Sequence, residues 1–341
     1  MVGEAWAGRR VLVTGATGFV GAWLVKALVE AGATVTCLLR DQPRISNFTL
    51  LGLEGQVNIL RGCVEEGGLL ERALNEYECD TCYHLAAQAV VVAANRAPLA
   101  TFESNIKGTW ILLEACRRSP LMRRVVLASS DKAYGEQVNL PYTEDSPLCA
   151  TYPYDASKAC GDILARCYSR AYGLPVVVAR CANIYGGGDL NFSRLVPGTV
   201  MAALLGQPPI IRSDGTPVRD YLYVADAVRG YLALGERAGE AGVTGEAFNF
   251  GGESPVSVLD LVERILQTAG RTDLRPDVQS KTKIAGEIDC QYLSSARARG
   301  ILGWAPLVGL DEGLALTFAW YREQYPRLAP GWYVSSAGPR G

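Results

Sequence analysis

Apolar positions in the first half of the chain fall into short runs separated by amphipathic stretches, and that alternation predicts strand, helix, strand, helix. RVLVT, Arg10 to Thr14, reads as a buried strand. The glycine-rich turn and amphipathic stretch after it, GATGFVGAWLVKALVEAGA, read as a turn into a helix ending at Gly32, and TVTCLL returns as a strand. Further strands are expected at VNIL, TCYHLA, RVVLAS and PVVVAR, with helices at NIKGTWILLEACRRS and YDASKACGDILARCYSRAYG. Strands that are apolar on both faces, alternating with helices, predict an α/β chain with a Rossmann-type doubly wound parallel sheet. After Arg180 the rhythm changes. Loops rich in Gly and Pro, such as IYGGGDLNFSRLVPG and IIRSDGTPVRD, carry shorter elements, as expected of a smaller C-terminal lobe closing over the mouth of the sheet.

Composition narrows the function. A chain of 341 residues with 49% hydrophobic and 20% charged side chains has room for one large α/β unit or two unequal lobes. Thirty-three Lys and Arg against 35 Asp and Glu leave a net charge of -2, with no general attraction to nucleic acid or to an anionic membrane. The N-terminus lacks the apolar run of a signal peptide and no segment reaches bilayer-spanning length, so a cytoplasmic location is expected. Ten cysteines scattered through apolar segments fit reduced, buried thiols. Cys79 and Cys82 form a lone C-x-x-C and His84 is the only histidine, so no metal site is expected; His84 itself is expected to be a hydrogen-bonded structural residue.

Gly15, Gly18 and Gly21 have G-x-x-G-x-x-G spacing directly after a strand and at the opening of a helix. A tight turn, close backbone approach and helix-to-sheet contact all favour glycine there, and the helix N-terminus suits a pyrophosphate. The chain should therefore carry a dinucleotide-binding Rossmann domain over 1–180, a mainly substrate-binding lobe over 181–330 with some segments returning to the sheet, and a tail over 331–341. Asp41 is near the spacing at which an acid bonds the ribose hydroxyls of NAD. Arg40 could instead hold a 2′-phosphate, which tips the NAD(P) expectation slightly towards NADP.

Tyr154 and Lys158, four residues apart in YDASK, share a helix face. A phenol is a weak base at neutral pH, but a neighbouring ammonium and a positive nicotinamide ring both favour phenolate. Upstream, the strand RVVLAS ends in Ser129 and Ser130, and an acid and an amine follow: Asp131 and Lys132. An adjacent pair of this kind is either a surface ion pair, worth little, or a proton donor and acceptor aimed at a substrate.

Together TGATGFVG, HLAAQ, SNIKGT, SSDKAYG, YDASK and VRDYLYVADAVRGYL resemble the extended short-chain dehydrogenase/reductase family of nucleotide-sugar epimerases and dehydratases, over residues 8–325. The carboxylate and second ionisable residue after the strand-end serine look like its 4,6-dehydratase branch. Asp-Lys there is similar to CDP-glucose 4,6-dehydratases and to inverting UDP-N-acetylglucosamine dehydratases, with NFSRLVP and GEIDCQYLSSARARGILGW more like the former. The resemblance implies that Ser130 and Tyr154 contact O4 of a hexose, that Tyr154 takes its proton, and that Lys158 lowers the phenol's pKa and binds the nicotinamide ribose. Asp131 is then the acid at O6 and Lys132 the base at C5, or alternatively a fixed charge stabilising an enolate. As acid and base, Asp131 must be protonated and Lys132 neutral, and burial disfavours the charged form of both.

Cofactor contacts are expected from Gly15, Thr17, Gly18, Phe19, Val20, Gly21, Arg40, Ala86, Tyr154 and Lys158. Substrate contacts are expected from Asn105, Asn183, Arg194 and Arg219. Family members often carry an acid after the third strand to hold the adenine amine; here the chain reads Gly62-Cys63, so that contact is lost or moved to the backbone. A nucleotide-sugar dehydratase acting as a homodimer is thus the leading expectation. A 4-epimerase comes second, and a non-catalytic dinucleotide sensor third.

Overall fold

The computed structural model describes residues 5–41, 43, 45–280, 282 and 288–328; the expected tail lies outside them. Six strands form where the apolar runs lie: β1 (Arg10–Thr14), β2 (Thr34–Leu39), β3 (Asn58–Arg61), β4 (Thr81–His84), β5 (Arg124–Ala128) and β6 (Val176–Cys181). Beyond them come β7 (Asn183–Tyr185), β8 (Ile210–Ile211), β9 (Val218–Arg219), β10 (Tyr221–Tyr223), β11 (Ala247–Phe250), β12 (Val256–Ser257), β13 (Asp277–Val278) and β14 (Cys290–Gln291). The central sheet is parallel throughout, in the order β11-β6-β5-β4-β1-β2-β3. Its order reverses between β1 and β4, and a reversal of this kind opens a crevice at the carboxyl ends of the strands.

Successive side chains of a strand point to opposite faces, and here both faces are covered. Val11 and Val13 of β1 join one apolar core while Leu12 joins the other; Val126 of β5 faces the first core, Val125 and Leu127 the second. That is why these runs are apolar without alternation. The longer helices are α1 (Phe19–Glu30), α2 (Gly67–Glu76), α3 (Gly108–Arg118), α4 (Pro153–Tyr172), α5 (Leu195–Leu205), α6 (Val224–Arg237), α7 (Val258–Thr268) and α8 (Leu310–Gln324). The single helix expected over 105–119 is in fact a π-helical turn, Glu103–Lys107, continued by α3.

The later segments build a smaller lobe. β7 pairs with β10, β9 lies between β12 and β14, and β8 pairs with β13. β11 returns to the central sheet beside β6. β14 pairs with β9 so that Gln291 lies opposite Arg219, and Gln291 in turn touches Lys132 beside the crevice.

All ten cysteines are free, but only Cys37, Cys79, Cys82, Cys116 and Cys181 are buried; Cys149, Cys167 and Cys290 are exposed, on a loop, on the surface of α4 and on the outward side of the short strand β14. No helix among the described residues is long and apolar enough to cross a membrane.

Candidate active site

A cleft of about 580 Å³ lies at the reversal of strand order, and it gathers most of the predicted site. Gly15, Thr17, Gly18, Phe19, Val20, Gly21, Arg40, Ala86, Ser130, Asp131, Lys132, Tyr154, Lys158, Asn183 and Arg194 all line it. Asn105 and Arg219 do not.

The glycine turn fits a dinucleotide for steric reasons. Gly15 has φ +76°, and a Cβ on it would stand 2.6 Å from the Ala86 nitrogen. At Gly21 a Cβ would stand 2.1 Å from the Gly15 carbonyl oxygen, so only glycine lets α1 start this close to β1. Gly18 caps α1 without any side-chain hydrogen bond, and no acid occupies the first turn. The positive end of the helix and its unsatisfied N–H groups therefore face a cleft that no protein anion fills, which suits a pyrophosphate.

Arg40 and Asp41 both line the cleft and bond each other, Nε to Oδ2 at 2.7 Å, on the exposed end of β2. The guanidinium that an NADP phosphate would need is thus already engaged by a carboxylate, and the preference for NADP has no support in this geometry. Cys63 presents its backbone N–H to Glu66 Oε1 at 2.7 Å, and Gly62, Val64 and Glu65 line the cleft where family members place their adenine-holding acid.

At the other end of the cleft the strand-end serine organises the polar groups. Ser130 is extended and caps a short 3-10 turn, Asp131–Tyr134. Its hydroxyl donates to Asp131 Oδ1 at 3.0 Å and accepts from the Lys132 backbone N–H at 3.2 Å. The Tyr154 phenol lies beside it. Asp131 is buried, with its second oxygen free of any protein partner. Lys132 is half-buried and donates from Nζ to Gln291 Oε1 at 2.9 Å. The pair is therefore no surface ion pair: both side chains are held in the cleft with Tyr154.

Tyr154 and Lys158 share one face of α4, as their spacing requires. Burial pushes the Tyr154 phenol up to about 12, with Asp131 adding to it and Arg194 and Ser130 opposing. Burial pulls Lys158 down to about 8, and its ammonium donates to the Ala128 carbonyl at 2.8 Å. Within the protein alone, Arg194 and not Lys158 is the leading influence that lowers the phenol. Arg194 itself is held by Asp189 at 3.0 Å and is part-exposed in the cleft.

Two expected substrate contacts stand outside the cleft lining. Asn105 is buried behind the cleft: its Oδ1 accepts from the Gln88 N–H at 2.7 Å and its Nδ2 donates to Ser157 Oγ at 2.8 Å and to the Gln88 carbonyl at 3.2 Å. It braces the helix carrying Tyr154 against the loop after β4, because the π-helical turn points it inward. Arg219 lies off the cleft wall, its Nη1 donating to the Val218 carbonyl at 2.9 Å and the Asp289 carbonyl at 3.3 Å. His84 is the buried structural residue expected, bonded to Thr14 and Thr109 Oγ1 at 2.8 and 3.1 Å, and burial pulls it down to about 3.

Sequence reasoning passed over Asp155, Asp189, Asp220 and Gln291. Burial raises Asp155 and Asp220 to about 6, and in both the charge of Asp131 adds to the rise. A signal existed for Asp155 in its position beside Tyr154. None existed for Gln291, which is 159 residues from the lysine it touches.

The chain matches the model of the "NAD dependent epimerase/dehydratase family" over residues 11–251. Among curated proteins it is 33% identical to a dTDP-glucose 4,6-dehydratase of Xanthomonas campestris pv. campestris, over 91% of this chain and 92% of that one. It is 29% identical to a CDP-glucose 4,6-dehydratase of Salmonella typhimurium, over 93% and 91%. Among solved structures it resembles a dTDP-glucose 4,6-dehydratase from Bacillus anthracis in complex with NAD (TM-score 0.84, 25% identity, 96% of this chain and 100% of that one). It equally resembles a UDP-glucose 4-epimerase from Thermotoga maritima with UDP-glucose (TM-score 0.84, 30% identity, 92% and 99%).

Proposed function

The chain belongs to the NAD dependent epimerase/dehydratase family, and from that premise we propose that it is a nucleotide-sugar 4,6-dehydratase, converting a nucleoside-diphospho-glucose to its 4-keto-6-deoxy product. One observation carries this: Asp131 and Lys132 line the same cleft as Tyr154, with the Ser130 hydroxyl bonded to the Asp131 carboxylate and the Lys132 backbone N–H. A 4-epimerase needs one base, at O4. Water loss across C5 and C6 needs a further base and a further acid, and the pair after the strand supplies one of each.

NAD, when bound, supplies the hydride acceptor at C4 and the hydride donor at C6. The residues that would hold it are the α1 turn at Gly15–Gly21, Ala86, Asp41 at the ribose hydroxyls, and Lys158. NAD is preferred over NADP because Asp41 engages Arg40 and a similar structure is described with NAD. Tyr154 takes the O4 proton, with Ser130 sharing the hydrogen bond. Its high pKa in the protein alone means that the phenol ionises only when positive charge joins it in the cleft. Asp131 protonates the departing O6 hydroxyl, and Lys132 takes the proton from C5. Asn183 and Arg194 remain the proposed phosphate and sugar contacts, and the guanidinium fork of Arg194 suits phosphate oxygens.

Asp-Lys after Ser130 favours a CDP-hexose, and dTDP-glucose is the next nucleotide to test because relatives are named for it. We also read the protein as a homodimer through α3 and α4, whose Trp110, Ile163 and Tyr172 remain exposed. The fold likeness to a 4-epimerase favours that activity as the second reading. Incubation with CDP-, dTDP- and UDP-glucose followed by mass measurement separates the two. A product lighter by one water supports the dehydratase, and an isomer of unchanged mass supports the epimerase.

A further inference from the structure

Gln291 is fully enclosed, and its backbone is fixed where its carbonyl accepts from the Asp220 N–H at 3.2 Å. Its Oε1 accepts from Lys132 Nζ at 2.9 Å, which leaves Nε2 as the amide end without a partner. Burying an amide N–H without a partner costs stability. A methionine of similar volume would fill the same space without that cost. What remains to account for a glutamine here is its contact with Lys132.

The choice of amide over acid also has a chemical reason. A carboxylate would hold Lys132 as an ammonium, whereas an amide oxygen accepts from –NH₃⁺ and –NH₂ alike. Acids already lie about this turn: Asp155 on α4 is close enough to feel the charge of Lys132, and Asp131, next to it in the chain, has Asp220 between β9 and β10 and the phenols of Tyr142 and Tyr221 near it, with Arg219 close to both phenols. Another acid at 291 would pin the proton that a C5 base has to shed.

We propose that Gln291 is a positioning residue for Lys132: an uncharged acceptor, delivered from the C-terminal lobe, that holds the amine in the cleft while leaving it free to lose its proton. This inference rests on the dehydratase reading, since an epimerase has no use for a base at C5.

The test compares wild type, Q291E and Q291M with the sugar nucleotide that wild type accepts, following water loss, deuterium uptake at C5 from solvent, and transient cofactor reduction from about pH 6 to about pH 10. In Q291E the pH of half-maximal water loss rises by about one unit, so the rate falls about tenfold at neutral pH and recovers in alkali. Cofactor reduction stays within about twofold of wild type. In Q291M, C5 exchange falls about tenfold relative to cofactor reduction, with no upward shift of the profile, and this variant alone decides the matter should Q291E not fold. Equal losses in exchange and cofactor reduction at every pH, or wild-type water loss in either folded variant, would overturn the proposal. Failure of the underlying function appears elsewhere: wild type itself then removes no water from any nucleoside-diphospho-glucose, and the role of Gln291 falls with it.

Discussion

The chemistry of this cleft depends on how burial sets the charge of a few side chains, and Asp155 gives a clean test. It sits in the first turn of α4, where the helix dipole favours a carboxylate by roughly 0.3–1 kcal/mol. Burial nevertheless raises it to about 6. A carboxyl with a raised native pKa binds its proton more tightly folded than unfolded, so its ionisation costs stability as pH rises from the unfolded value near 3.8 through about 6. Asp155→Asn should therefore stabilise the protein by about 1 kcal/mol at neutral pH, after discounting for partial solvent contact, and by nothing below about pH 4. Thermal melts at the two pH values check the sign. At this scale the sequence was informative wherever chemistry is adjacent in the chain, as in Asp131-Lys132 or Tyr154 with Lys158. It was silent on Gln291, and it gave no sign that Arg219 stands off the cleft wall, because strand pairing of the small lobe decides which way those side chains face.

Elements place the site, and two of them can be probed directly. Gly21→Ala drives a Cβ into the Gly15 carbonyl, a backbone atom that cannot move aside. It should weaken NAD binding at least thirtyfold, or about 2 kcal/mol, read by calorimetric titration. The turn carrying Asp131 and Lys132 is anchored from beneath by Arg180 of β6. Arg180 forks onto Asp162 of α4 at 2.7 and 2.9 Å and donates to the Tyr134 hydroxyl at 2.8 Å, with both members of the ion pair buried. Arg180→Met alone strands the Asp162 charge and should cost about 3–5 kcal/mol in urea unfolding, whereas Arg180→Met with Asp162→Leu should recover much of it. Six of the seven strands of the large sheet were legible to within a residue or two, because apolar runs covered on both faces stand out; β11, which returns from the later half of the chain, was not. The two- and three-residue strands of the small lobe were not, since their partners lie far away in sequence and no local pattern marks them.

For the whole molecule, alternation of strand and helix was enough to foresee a doubly wound sheet, and the strand order then fixes where a ligand must lie. What alternation could not convey is how the C-terminal segments return, which is why β14 and its glutamine came only with the structure. The proposed dimer belongs to this scale: Ile163→Glu on the exposed face of α4 should halve the mass seen by sedimentation while leaving the far-ultraviolet spectrum unchanged, and an unaltered mass would place the interface elsewhere. The central claim, that Asp131 and Lys132 add an elimination to the oxidation centred on Tyr154, is tested most directly by Asp131→Asn. With CDP- or dTDP-glucose in deuterated water, this variant should reduce its cofactor transiently yet release at least a hundredfold less 4-keto-6-deoxy product than wild type. Wild-type product formation by Asp131→Asn would contradict it.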